Sequence, residues 1–285
     1  MGALREQPVG IVGLGLIGGS LGLDLQAAGV EVRALVHRPS TMERARQRQL
    51  AQAIDTDPGV LRGCGLIVLA LPLDRLLDPP AELLAALPAE AVITDVGSVK
   101  RPVLERWQSR HRRFVASHPM AGTAEAGVEA GLRGLFAKRP WVVTPTADTE
   151  PTALALVREL AALVQAQWLS CEADAHDQAV ALISHMPVLV SAALLEAADL
   201  GGSAAGASAL VRQLASSGFA DTSRIGGGNP ELGALMARCN RDAVRQALRT
   251  YRSQLEQLES LVQQEQWQEL QQRLQHSQRL RPEFL

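Results

Sequence analysis

One imidazole in this chain follows a short apolar run and is stiffened by a proline, in Ser117-His118-Pro119-Met120-Ala121-Gly122-Thr123. A histidine with an ordinary pKa near 6.5 can take a proton from a hydroxyl at neutral pH. An alcohol carbon needs that loss if it is to give up hydride, so His118 is the candidate general base. A second polar cluster, Thr94-Asp95-Val96-Gly97-Ser98-Val99-Lys100, also closes an apolar run. There Ser98 can donate to a substrate hydroxyl, and Lys100 can cap the site or pair with Asp95. The plain alternative is a polar turn with Ser98 as a helix N-cap. Arg224 lies among small residues in Ser216-Ser217-Gly218-Phe219-Ala220-Asp221-Thr222-Ser223-Arg224-Ile225. It can hold a carboxylate through a forked pair of N–H donors, or serve as an ion-pair partner on a helix surface.

Hydride needs an acceptor, and residues 10–18, GIVGLGLIG, carry the signature of a dinucleotide site. An apolar strand runs into Gly13, Gly15 and Gly18 at the spacing of a phosphate-binding turn. Gly13 would permit the tight turn, Gly15 would let a pyrophosphate approach the backbone, and Gly18 would let the next helix pack close. That helix is expected over Ser20 to Ala28. The free N–H groups at its start, with Leu16 and Ile17, would point at the phosphates. A second strand, Glu31 to Val36, runs into His37-Arg38-Pro39-Ser40-Thr41. An acid there would accept from the adenosine ribose of NAD. None is present, and an arginine can pair with a 2′-phosphate. Arg38, Ser40 and Thr41 therefore form a candidate NADP pocket, the alternative being a solvated loop arginine beside a helix.

A third cluster joins Asp174-Ala175-His176-Asp177-Gln178 to Ile183-Ser184-His185-Met186-Pro187. His176 and His185 are nine residues apart, about 2.5 turns, and should not share a helix face. That argues against a two-histidine metal site, and no glutamate completes one. Structural or supporting roles are expected for both, and no metal is expected.

These residues need a scaffold that gathers them, and the apolar pattern specifies one. Short apolar runs alternate with helical segments: 9–12, 32–36, 66–71, 91–96, 114–116, 141–144 and 167–169. Such alternation predicts an α/β Rossmann-like, doubly wound parallel sheet with helices on both faces. Ligands of these folds lie outside the carboxyl ends of the strands, where His118 and Ser98 are expected. From Ala173 on, the strand signals vanish. An Ala/Leu/Gln-rich helical pattern follows, broken at Gly201-Gly202-Ser203 and at Gly226-Gly227-Gly228-Asn229-Pro230. The expected division is a nucleotide-binding domain over 1–170 and an all-α domain over 171–285. Apolar stripes wider than one helix face predict a homodimer through the second; a chain that sediments only as monomer at micromolar concentration would contradict it.

Bulk properties narrow the partners. With 285 residues, two domains can each bury a core. A net charge of −2 and aromatics at 3% supply neither a basic face nor a stacking platform for nucleic acid. Three scattered cysteines fit a reduced, cytoplasmic protein. With no leader-like pattern and no expected apolar run of about 18 residues, no membrane partner is expected.

The glycine turn, ITDVGSVK, SHPMAGT, DAHDQAVALISHMPVLVSAAL and SSGFADTSRIGGGNPELG together resemble one family over most of the chain. It is the prephenate and arogenate dehydrogenases of tyrosine biosynthesis, with the cyanobacterial-type, NADP-dependent arogenate dehydrogenases nearest. The resemblance implies a nucleotide-binding domain, a helical dimerisation domain and an oxidative decarboxylation. Hydride would leave C4 of a cyclohexadienol for the nicotinamide, CO2 would leave C1, and the ring would become aromatic. By the same resemblance His118 deprotonates the C4 hydroxyl, Ser98 contacts that region and helps orient His118, and Arg224 holds a substrate carboxylate. Some prephenate-using relatives have a second histidine where this chain has Val188, a departure that leans toward arogenate. Any tyrosine feedback would be expected at the active site, with no regulatory domain following. Prephenate, or both substrates, is the alternative. A β-hydroxyacid dehydrogenase is disfavoured by SHPMAGT and DTSRI, and a non-catalytic NADP sensor would not need His118, Ser98 and Arg224 together.

Overall fold

A computed structural model describes residues 2–123 and 125–284. Six parallel strands form its main sheet: β1 (Val9–Val12), β2 (Val32–Leu35), β3 (Ala53–Asp55), β4 (Leu66–Leu69), β5 (Val92–Asp95) and β6 (Phe114–Val115). Their order is β3-β2-β1-β4-β5-β6. β1 is paired in register with β2 (Val12 opposite Leu35) and β4 (Val12 opposite Leu69). All residues of β1, β4 and β5 are buried, which explains why β1 and β4 read as unbroken apolar runs; β5 ends in the buried polar pair Thr94 and Asp95. Each fully buried Val, Ile or Leu there contributes about 1.5–3 kcal/mol. The order reverses between β1 and β4, so the crevice of a doubly wound sheet opens beside the glycine turn.

Three expectations change. The first helix begins at Leu16, ahead of Ser20, because Gly15 is still extended and the helical hydrogen bonds start there. The strand β3 had no apolar run to announce it. It is a short edge strand paired only with β2. The single parallel sheet is in fact two. After Val115 the chain leaves the main sheet, and β7 (Ser117–Pro119), β8 (Pro140–Val143) and β9 (Gln167–Ser170) make a second one. β7 is antiparallel to β8. His118 thus lies within a strand, opposite Val142, where the chain passes from one sheet to the other.

The helical half begins with Ala173–Val180 and continues through a π-helical turn, Ala181–His185, into Met186–Ala204. Pro187 explains the wide turn. Its ring has no N–H to give the carbonyl of Ile183 and would clash with it in a regular helix. The turn closes instead through the Met186 N–H to the Ala181 carbonyl. No break occurs at Gly201-Gly202-Ser203; the helix runs through them and ends before Gly206, whose φ is 63°. The break before Pro230 is present, with Asn229 capping the helix Pro230–Cys239. The two halves share apolar contacts, since Ala173, Val188 and Met236 pack with Leu73, Leu76 and Leu104. The continuous run Ala173–Ala204 is long and apolar enough to cross a bilayer by length and composition, contrary to the expected absence of such a run. Buried His176, Asp177 and His185 interrupt it, which hides it from a search for uniformly apolar stretches.

Candidate active site

The glycine turn has the shape a dinucleotide requires. Gly13 has φ 96°, and a Cβ on it would lie 2.4 Å from the Ala70 carbonyl at the end of β4. A Cβ on Gly18 would lie 1.9 Å from the Gly13 carbonyl, so helix and turn can approach only without one. Nothing stands within 4 Å of a Cβ position on Gly15, which leaves its outer side open. No side chain caps the helix Leu16–Ala27, so the N–H groups of Leu16, Ile17 and Gly18 are offered to an anion. Arg38 and Ser40 are exposed and Thr41 partly exposed at the start of the helix Pro39–Gln47. No ion pair engages Arg38 among the described residues, so its guanidinium is exposed and uncommitted at the end of β2.

At the carboxyl end of β5 a buried knot fixes the residue before His118. Ser117 is gripped by Asp95 and Lys100, and its hydroxyl also lies 2.9 Å from Thr94 Oγ1. Its N–H donates to Asp95 Oδ1 (3.0 Å), its hydroxyl donates to the Asp95 carbonyl (2.7 Å), and its carbonyl accepts from Lys100 Nζ (2.6 Å). Lys100 Nζ also forms an ion pair with Asp95 Oδ2, and both side chains are fully buried. Burial pushes Asp95 up and Lys100 down, and their mutual attraction opposes both shifts. The Lys100–Asp95 pairing is one of the two options the sequence left open.

His118 is held from the other half of the chain. Its Nδ1 lies 2.9 Å from His176 Nε2, and His176 Nδ1 lies 2.7 Å from Asp177 Oδ1. The same carboxylate accepts the N–H of Lys100 (2.7 Å) and of Arg101 (2.9 Å), and so caps the helix Arg101–Trp107. Ser98 is not that cap. Its hydroxyl is buried with no partner among the described residues, and it makes no hydrogen bond to His118. The side-chain hydrogen bond to the His118 ring among the described residues is with His176. An unpaired buried hydroxyl costs about 1–3 kcal/mol, so a ligand oxygen is its natural complement.

His176 and His185 do face the same region, against expectation. Nine residues of regular α-helix would set them about 180° apart, and the extra residue of the π-turn reduces this to about 80°. Asn240 links His185 to the residue after His176, donating to the Asp177 carbonyl (2.7 Å) and reaching His185 Nδ1 (3.3 Å). His185 Nε2 is left buried without a partner among the described residues. Arg224 is exposed at the end of the helix Ser217–Ser223, with no ion pair among the described residues. Its loop is pinned to the long helix by Ser191, whose hydroxyl donates to the Thr222 carbonyl (2.9 Å) and accepts the Gly226 N–H (2.8 Å). Arg224 makes no hydrogen bond with His118, whose ring nitrogen engages His176.

His118 and His185 are both shifted toward the neutral form. Burial takes His118 well below its usual range, with Lys100, His176 and His185 adding to the effect. Burial takes His185 down to about 4, although Asp177 pulls it upward. Unfolded histidine titrates near 6.5, so below that pH the unfolded chain binds more protons than the folded one. Stability contributed by these neutral rings is present above about pH 6.5 and declines as the pH falls through the window down to the depressed values. The urea midpoint should therefore fall between about pH 7 and about pH 4.5, and fall less steeply in His185→Gln. Identical slopes in the two proteins would remove His185 from this account.

Comparison with known proteins gives a consistent result across both halves. Residues 21–170 match the family model "Prephenate dehydrogenase, nucleotide-binding domain", and residues 172–276 match "Prephenate dehydrogenase, dimerization domain". A cyclohexadienyl dehydrogenase of Zymomonas mobilis is 30% identical over 229 residues, covering 79% of this chain and 78% of that protein. The crystal structure of an arogenate dehydrogenase from Synechocystis superposes with a TM-score of 0.82 at 40% identity, over 98% of this chain and 100% of that one. A prephenate dehydrogenase of A. aeolicus, in complex with hydroxyphenyl propionate and NAD+, superposes with a TM-score of 0.87 at 25% identity over the whole of both chains.

Proposed function

Because the chain belongs to the prephenate dehydrogenase family, we propose that it converts L-arogenate to L-tyrosine, with loss of CO2 and hydride transfer to NADP+. It is an oxidoreductase of the prephenate/arogenate type. The observation that carries the mechanism is His118, held neutral at the carboxyl edge of the sheet. His118 takes the proton of the C4 hydroxyl as hydride leaves C4. The nicotinamide, when bound, accepts that hydride. The bond from C1 to the carboxylate breaks, its electron pair enters the ring, and the oxygen on C4 recovers the proton from His118. No net proton leaves the site, so a base and a hydride acceptor complete the chemistry without a metal. Ser98 meets the C4 hydroxyl with its unpaired Oγ, and Arg224 holds a carboxylate.

The choice of arogenate is supported by the 40% identity to the Synechocystis enzyme over nearly the whole chain. It also fits Val188, an apolar residue packed into the core shared by the two halves. The second reading, a prephenate or dual-substrate dehydrogenase, is favoured by the relative named cyclohexadienyl dehydrogenase. Reduced-nicotinamide formation with arogenate or prephenate, each with NADP+ or NAD+, separates the two. Turnover with arogenate and NADP+ and little with prephenate is the expected result. Turnover with prephenate alone overturns the substrate, and silence with both would favour a sensor. For the cofactor, Arg38→Ala should weaken NADP+ binding by about tenfold or more, as expected for a lost charge-assisted bond, and spare NAD+. An unchanged preference would remove Arg38 from the pocket.

A homodimer through the helical half accounts for its exposed apolar side chains, among them Leu182, Ile183, Leu200 and Leu214. The family model matched there is described as a dimerization domain. We assign the nucleotide-binding role to 1–170 and the helical substrate and dimer role to 171–285.

A further inference from the structure

We propose that His176 and Asp177 act as positioning residues that hold His118 in its Nδ1–H tautomer, so that Nε2 carries the lone pair that receives the substrate proton. The inference rests on the reading of His118 as the base. It begins at Asp177. Both oxygens of that carboxylate accept main-chain N–H groups, from Lys100 at 2.7 Å and Arg101 at 2.9 Å. A carboxylate has no proton to give, so His176 Nδ1, 2.7 Å away, must be the donor. A neutral imidazole with its proton on Nδ1 has its lone pair on Nε2. The 2.9 Å contact from His176 Nε2 to His118 Nδ1 is then a hydrogen bond only if His118 donates. With a single proton on each ring, the free lone pair of His118 is then on Nε2.

The arrangement also serves the charged form. When Nε2 takes the proton, His118 becomes an imidazolium whose Nδ1–H still points at the His176 lone pair. Behind His176 stands the Asp177 carboxylate. Of the other ionisable groups facing His118, the cation of Lys100 opposes that charge, and His185 would do so only when protonated. The cation of Lys100 is itself countered by Asp95. The proton returns to the C4 oxygen within the same turnover, so the chain of rings has to hold a tautomer and steady a transient charge, not export a proton.

The donors and acceptors come from different parts of the chain. His118, Lys100 and Arg101 precede residue 170, whereas His176 and Asp177 follow it. The Asp177 carboxylate that caps the helix Arg101–Trp107 is the one that sets the tautomer of His176. Docking of the helical half onto the sheet and arming of the base are therefore one event.

The test is nitrogen-15 NMR of the histidine side chains without substrate, followed by kinetics. In the native protein His118 should be neutral with Nδ1 protonated. In His176→Phe it should revert toward the Nε2–H form favoured by free imidazole. In that variant kcat should fall by about 10²-fold or more, with KM for NADP+ unchanged. His176→Gln, whose Oε1 can accept the Nδ1–H of His118, should restore the tautomer and part of kcat. An Nε2–H form of His118 in the native protein overturns the proposal whatever the activity. An Nδ1–H form that survives in His176→Phe overturns it equally, and the native and glutamine proteins still decide if the phenylalanine variant does not fold. The expected tautomer in a protein silent toward both substrates would defeat the proposed function while leaving the positioning intact.

Discussion

His118→Asn is expected to lower kcat with arogenate and NADP+ by about 10²–10⁴-fold while leaving the Kd for NADP+ unchanged. Asparagine is smaller than histidine and can still donate toward His176 Nε2, so the local hydrogen bonding survives. It cannot accept a proton at neutral pH. The C4 hydroxyl would then have to lose its proton to water as hydride departs, which raises the barrier without touching the cofactor. The glycine turn follows β1, whereas His118 lies in β7, and no hydrogen bond joins the two. Stopped-flow turnover and fluorescence titration with NADP+ measure the two quantities separately. Turnover within a few-fold of the native rate would remove His118 as base. Lost NADP+ binding would make it a part of the cofactor site or of the fold.

Lys100→Met should destabilise the protein by about 3–5 kcal/mol, the range found when one member of a buried ion pair is removed. Methionine fills much of the lysine volume, so the loss is electrostatic. Asp95 would keep its N–H donors from Ser117 and Gly97 and lose its cation. Burial already pushes Asp95 upward, and removing Lys100 takes away the strongest force opposing that shift. A carboxyl whose folded value lies above the unfolded one binds more protons in the folded state. The variant should therefore recover stability as the pH falls toward the unfolded value near 3.9 and lose it as the pH rises through the raised value. Urea denaturation at pH 5 and pH 8 would show the variant less stable at the higher pH relative to native. A midpoint within error of native at both would mean that the pair contributes nothing net. Asp95→Asn combined with Lys100→Met should restore part of the loss, because no unpaired charge remains. The consequence reaches the site, since Lys100 also holds the carbonyl of Ser117, the residue next to the proposed base.

Part of the site was legible as local pattern. The spacing of Gly13, Gly15 and Gly18 reflects a turn whose geometry is set within a few residues, and the structure puts it beside the end of β4. The apolar runs of β1 and β4 are legible because burial on both faces leaves no polar residue to break them, whereas β5 is apolar only up to Ile93 and ends in buried Thr94 and Asp95. Arg38 was proposed for the cofactor pocket from its distance along the chain from the glycines. The strand β3 and the separation of β7 from the main sheet were not legible. Three-residue strands are fixed by their partners, and nothing local to Ser117-His118-Pro119 states that it pairs antiparallel with Trp141–Val143.

The fold class and the glycine turn could be read from the order of residues, and from the same order His118 could be proposed as the base. Each is written in residues close together, where steric and hydrophobic rules act over one element. What surrounds that histidine is settled by folding. His176 meets His118 across 58 positions, and Asp177 meets the N–H of Lys100 across 77. The π-turn forced by Pro187 swings His185 toward the face that His176 occupies, which regular helix geometry would have kept apart. Hydrogen bonds act over about 3 Å of space and are indifferent to distance along the chain. A partner that arrives from another element leaves no periodicity behind, and it becomes visible only when the chain has folded and the two elements have met.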